Sequence, residues 1–147
     1  MLGAATAALV LLAGRARARA IDAARRWVLV VRDANYNVFI DTASLKAHYS
    51  DFMVWYRTDH AQPRSHKDRP FNRELVHSLL DCRDLEFKVL AVDLSMNGGR
   101  PVSRQRTPEN ELQRQAWRTV VRGTSEEIAA AAACTYARRR YPSRAAR

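Results

Sequence analysis

A period of two restricts this chain more than any other feature. The stretches "WVLVVR" (27–32), "YNVFID" (36–41), "FMVWYRT" (52–58), "RELVHSLLDC" (73–82) and "EFKVLAVDLS" (86–95) alternate or run apolar, and they are rich in β-branched and aromatic residues. Successive side chains of a strand point to opposite faces, so such stretches bury one face of a sheet. In "FMVWYRT", Phe52, Val54 and Tyr56 share one face, and Met53, Trp55 and Arg57 share the other. Asp33-Ala34-Asn35 and Arg83-Asp84-Leu85 are short turn-forming links, so the flanking strands read as hairpins. Asn97-Gly98-Gly99 tolerates the positive φ angles of a type I′ turn and returns the chain into "PVSRQR" (101–106), with Pro101 at the start or on a sheet edge. The pattern predicts about six antiparallel strands.

Two segments break it. "HAQPRSHKDRPF" (60–71) is polar and holds two prolines, and reads as a long connection of the functional or mobile kind. "GTSEEIAAAAACTYARRR" reads as one helix from about Ser125 to about Arg138. Thr124 and Glu127 have capping-box spacing, the alanines favour helix, and the acids and arginines sit at the ends where the helix dipole favours them. One sheet with one terminal helix is an α+β arrangement. A helix that docks through alanine gains little from burial, at roughly 25 cal/mol per Å². It needs a further attachment, and Cys134 lies on it.

The chain has two cysteines, Cys82 and Cys134. Their chemistry depends on compartment. Leu2 to Ala13 is an apolar run of signal-peptide length, too short to span a membrane, and Ala18-Arg19-Ala20 offers a small-x-small cleavage site. We expect a signal peptide over 1–20, a domain over 21–134 and a basic disordered tail over 135–147. With no cysteine at the cleavage point, no lipid anchor is expected. An exported chain would oxidise its two thiols to a bridge tying helix to sheet; a retained one would keep two buried thiols. Zinc needs about four ligands at short spacings, which are lacking. Asp81 and Asp84 flank Cys82 and would disfavour a thiolate nucleophile.

A net charge of +10 suggests nucleic acid, but the charge is concentrated at the ends. Residues 21–134 carry 17 Lys plus Arg against 15 Asp plus Glu, and five arginines follow Cys134. Nucleic-acid binding through the arginine tail is therefore a lesser alternative. No phosphate-cradling glycine loop, nucleophile elbow or H-E-x-x-H helix is present, so neither catalysis nor a cofactor is expected. Asp59, His60, His66 and Asp68 lack fixed metal spacing and read as solvated loop residues. Trp27, Trp55 and Trp117 read as core or half-buried sheet residues.

Several elements recur together in a known family. Trp27, "VFIDTASL" (38–45), Val54-Trp55, Asp81-Cys82, Trp117 followed by Gly123-Thr124, and a closing Cys134 resemble the bacterial surface-adhesin protein E family over residues 26 to 134. The resemblance implies a small antiparallel sheet, a C-terminal helix, a Cys82–Cys134 bridge, and attachment to host extracellular-matrix or plasma proteins. The reading that results is an exported, non-catalytic binding domain with a protein partner, placed in the periplasm, at the cell surface or in the medium. The candidate partner-binding residues are Trp55, Arg64, Lys67, Arg69 and Arg73, and no small-molecule substrate is expected. The alternative is a periplasmic envelope structural or stress protein.

Overall fold

A computed structural model describes residues 27–144. The signal-peptide expectation falls on residues outside that span. The chain runs through β1 (Trp27–Arg32), β2 (Tyr36–Asp41), β3 (Lys46–His48), β4 (Asp51–His66), β5 (Arg69–Asp81), β6 (Glu86–Ser95), β7 (Pro101–Arg106), α1 (Glu109–Arg114), β8 (Arg118–Thr119) and α2 (Ser125–Arg140), and closes with a 3₁₀ turn, Pro142–Arg144. The strands form one antiparallel sheet in the order β1-β2-β4-β5-β6-β7. Short β3 continues β2's edge of β4, and short β8 continues β7's edge of β6. The expected α+β fold of antiparallel sheet plus C-terminal helix is what forms.

Alternation decides which face is buried. Val38, Ile40, Phe52, Val54 and Leu80 point to one side, and α2 lies over them with Ala129, Ala130, Ala133, Cys134 and Ala137. Small residues let the helix approach closely. The Cys82–Cys134 bridge then joins it to the β5–β6 turn, with a Cα–Cα separation of 5.6 Å. The Thr124 side chain accepts the Glu127 N–H, and the Glu127 carboxylate accepts Gly123 N–H (2.7 Å), so the cap forms with its return bond one residue before the N-cap.

Local turns follow from named side chains. Asp41 is fully buried; its Oδ1 accepts the N–H groups of Ala43 (3.0 Å) and Ser44 (3.2 Å), while Ser44 Oγ donates to Asp41 O (3.0 Å). This is the physical content of the D-x-x-S spacing. Asn97 (φ 52°) and Gly98 (φ 71°) form the predicted turn, closed by Gly99 N–H to Met96 O at 2.9 Å. The positive φ at Gly98 favours glycine, and the Arg73 guanidinium packs where a Cβ would sit.

Two expectations are corrected. Residues 60–71 are not a loop but the end of a long β4–β5 hairpin, turned at Lys67 (φ 48°) and Asp68 (φ 60°). The prolines are accommodated by register. Pro63 falls where β4 bulges between Asp59 and Arg64. Pro70 faces Ser65, one pair in from the turn-closing His66–Arg69 pair. That makes it a non-hydrogen-bonded position, where a missing N–H costs no ladder bond.

The second correction concerns the tail. Thr135–Arg140 continue α2, and Tyr141 after it is held against the sheet. Arg138 Nη2 donates to Cys82 O (3.0 Å), Arg140 Nη1 to Thr42 O (3.0 Å), and the Tyr141 hydroxyl to Leu45 O (3.2 Å). Tyr141 also stacks on Phe52, with ring centroids 6.0 Å apart. Composition alone suggested a solvated tail, because these carbonyl partners lie about 50 to 100 residues away in sequence.

Candidate binding face

The side of the sheet turned away from α2 carries a different set of residues. One row across the strands is set by the register: Phe39 opposite Arg57, Arg57 opposite Leu75, Leu75 opposite Asp93, Asp93 opposite Arg104. A neighbouring row places Trp55 opposite His77 and His77 opposite Ala91. The same alternation that buries Tyr56 and Val54 under the helix therefore presents Trp55 and Arg57 here.

Arg57 is the centre of the array. Its guanidinium lies 4.0 Å from the Phe39 ring centroid and 5.1 Å from that of Trp27. Cation–π contact of this kind suits a flat, weakly hydrated guanidinium. Arg57 Nε is 3.3 Å from Asp59 Oδ2, and Asp59 in turn accepts Arg73 Nε (2.6 Å) and Nη2 (3.3 Å). Burial pulls the Arg57 pKa below its ordinary value, against the opposing pull of Asp59. Beside this cluster Trp55 and His77 stack in parallel, 4.6 Å apart and 2° from coplanar. On β6 and β7, Asp93 receives a two-pronged contact from Arg106 at 2.6 and 3.0 Å. A groove of about 270 Å³ runs among Trp27, Arg57, Leu75, Asp93 and Arg104. Lys88 Nζ, 5.0 Å from the Trp117 ring centroid, donates to Leu112 O and brings the α1 segment across one end. Aromatic planes and forked guanidinium groups, held by neighbours rather than free, are the residue types that dominate protein recognition.

Residues 27–135 match the family described as Surface-adhesin protein E. The chain belongs to that family. Among curated proteins and solved structures, none matches it. The match begins at the first residue of β1 and ends just after Cys134, so the surface-adhesin protein E domain is the sheet, its covering helix up to the bridge, and the bridge itself.

The structure separates the sequence-derived candidates within this adhesin domain. Trp55 lies half-buried on the open face. Arg73 sits at the base of the hairpin arm, paired with Asp59. Arg64, Lys67 and Arg69 lie farther out on the arm and are exposed; along β4 the arm's turn is roughly 40 Å beyond Trp55, at about 3.3 Å per residue. These three do not join Trp55 in one surface. Arg64 instead lines a groove with Asn35, Tyr36, His60 and Gln62. Asp59 and His60, once considered together, are adjacent on β4 and diverge: Asp59 serves Arg57 and Arg73, while His60 meets Tyr36 and Phe71. Arg57, Phe39 and His77 were missed. The signal for Arg57 was present in its period-two alignment with Trp55, but the cross-strand partners were not.

Two histidines make the domain sensitive to acid. Burial, aided by Arg106 and Lys46, pushes His77 below its ordinary pKa of 6.5. Burial and Arg64 do the same to His60, against the opposing pull of Glu74 3.9 Å away. The unfolded chain then binds protons that the folded chain refuses. Stability present above pH 6.5 is lost as the pH falls through that value towards the lower folded pKa values. The melting temperature should fall between pH 7.5 and about pH 5.5, and a His60→Asn/His77→Gln variant should flatten that slope. An unchanged slope in the variant refutes the assignment.

Proposed function

We propose that the chain is an exported, non-catalytic adhesin domain that holds a protein partner at or near the bacterial cell surface through the open face of its sheet. The observation that carries this reading is the array of Trp27, Phe39 and Trp55 with Arg57, preformed on the face turned away from α2. Membership of the surface-adhesin family supports it. A site built for turnover needs reacting groups converging on a substrate; the carboxylates on this face are paired with arginines instead. The arginine-tail alternative is weakened because Arg138 and Arg140 are engaged by backbone carbonyls. The arm residues Arg64, Lys67 and Arg69 form a second candidate contact for an acidic partner surface.

The test is binding of the purified oxidised protein to immobilised envelope, extracellular-matrix and plasma proteins at physiological salt. Trp55→Ala should weaken the interaction at least about tenfold, as expected for a central aromatic anchor. Charge reversal at Arg64, Lys67 and Arg69 together should slow association and have less effect on dissociation. If Trp55→Ala binds as the parent does, the sheet face is not the contact.

A further inference from the structure

The other side of the sheet holds a site unrelated to the binding face. α2 crosses β1, β2 and β4, and between its first turn and strands β4 and β5 a cavity of about 200 Å³ remains. An apolar cavity of about 150 Å³ suffices for benzene. Val76, Leu80 and Phe87 line this one and set its apolar character.

Hydroxyl-bearing side chains border it, Ser78 and Tyr56 among them. The Ser78 side chain is only 2 % exposed and borders the cavity. Tyr56 is half-buried between sheet and helix and borders the same space. Among the described residues none hydrogen-bonds to either hydroxyl. Both hydroxyls border the cavity and can offer an oxygen to a guest that enters it.

Charge states the guest's sign. Among the described residues Glu74 and Glu126 line the cavity and no Lys, Arg or His does, in a chain of net charge +10. The positive end of α2 is worth about half a charge and is outweighed by the two carboxylates. Glu126 also reaches the Tyr56 phenol, whose pKa is pushed up by burial first and by this carboxylate second. We infer that this cavity binds a small amphiphilic amine, its apolar body on Val76, Leu80 and Phe87, its ammonium group donating to Glu126 and the Tyr56 hydroxyl oxygen, with Glu74 adding negative charge at the same end. The site stands or falls separately from the sheet-face reading, because the two lie on opposite sides of the sheet.

The experiment titrates the full, oxidised chain with 2-phenylethylamine, and with the matched neutral and anionic probes 2-phenylethanol and phenylacetate. Calorimetry gives affinity and two-dimensional NMR gives location. The amine should bind with a Kd on the order of a millimolar or tighter, shifting the amides around Ser78 and Ala129. The alcohol should bind roughly tenfold more weakly and phenylacetate should not compete. Ser78→Leu, which fills the cavity with apolar volume, should keep or raise the melting temperature and abolish binding. Glu126→Gln, at an exposed position, should weaken the amine about fivefold and leave the alcohol unchanged. Equal affinity for amine and alcohol, binding that survives Ser78→Leu in a folded protein, or an amine affinity indifferent to Glu126→Gln would each overturn the inference. So would the absence of saturable binding at millimolar amine.

Discussion

Replacing Cys82 and Cys134 together by alanine should lower the unfolding free energy by about 4 kcal/mol, the chain-entropy value for a loop of this length. The cysteines are 52 residues apart, and the link joins the two layers of the fold. The loss should exceed what the bridge contributes in a protein with a large interlayer core, because nothing of comparable strength replaces it. The buried side chains of α2 are four alanines and Cys134 itself. In the double variant the helix should therefore loosen before the sheet. Far-ultraviolet circular dichroism should report helix loss at a temperature below that of the aromatic signal from Trp27 and Trp55. At about 3–5 °C per kcal/mol for a domain of this size, the main transition should fall by roughly 12–20 °C. A single coincident transition within a few degrees of the parent would show that alanine packing suffices.

Phe52→Ala should be as damaging by a different route. Phe52 is 4 % exposed, faces Leu80 on β5 and Ala47 on β3, and stacks on Tyr141. Truncating a buried phenylalanine costs about 3–5 kcal/mol through lost transfer energy and the cavity left behind. Here the same change releases Tyr141, whose hydroxyl bond to Leu45 O anchors the end of α2. Urea denaturation should show the midpoint falling with little change in slope. Met53→Ala, one residue on and facing the other side of the sheet, is the control and should cost well under half as much. Equal losses at Phe52 and Met53 would contradict the division of the sheet into a covered and an open face.

Strand content was legible because alternation is a local signal. β1 and β2 begin and end where "WVLVVR" and "YNVFID" do, and β6 and β7 coincide with "EFKVLAVDLS" and "PVSRQR". The helix was legible at its start, where Thr124 and Glu127 form the cap, and was underestimated at its end. β3, β8 and α1 escaped notice because they are two to six residues long and carry no pattern of their own. The hairpin arm was misread because proline and polarity both argue against a strand. Only the register shows that neither proline interrupts a needed bond. Of the binding face, Trp55 and Arg73 could be named in advance. Arg57, Phe39 and His77 could not, since their meaning comes from partners 18 to 30 residues distant along the chain.

The sequence by itself determined the class of the fold, the apolar side of each main strand, the capped start of α2 and, through Trp27, "VFIDTASL", Asp81-Cys82 and Cys134, the family to which the domain belongs. Each of these rests on interactions between residues near one another in the chain, or on spacings that can be counted. The structure bore out the expected Cys82–Cys134 bridge, and it alone decided that Arg138, Arg140 and Tyr141 dock rather than trail, and that Arg57 meets Phe39 and Trp27 on the face turned away from α2. Those contacts depend on strand order, register and helix placement, which are fixed by the packing of the whole chain.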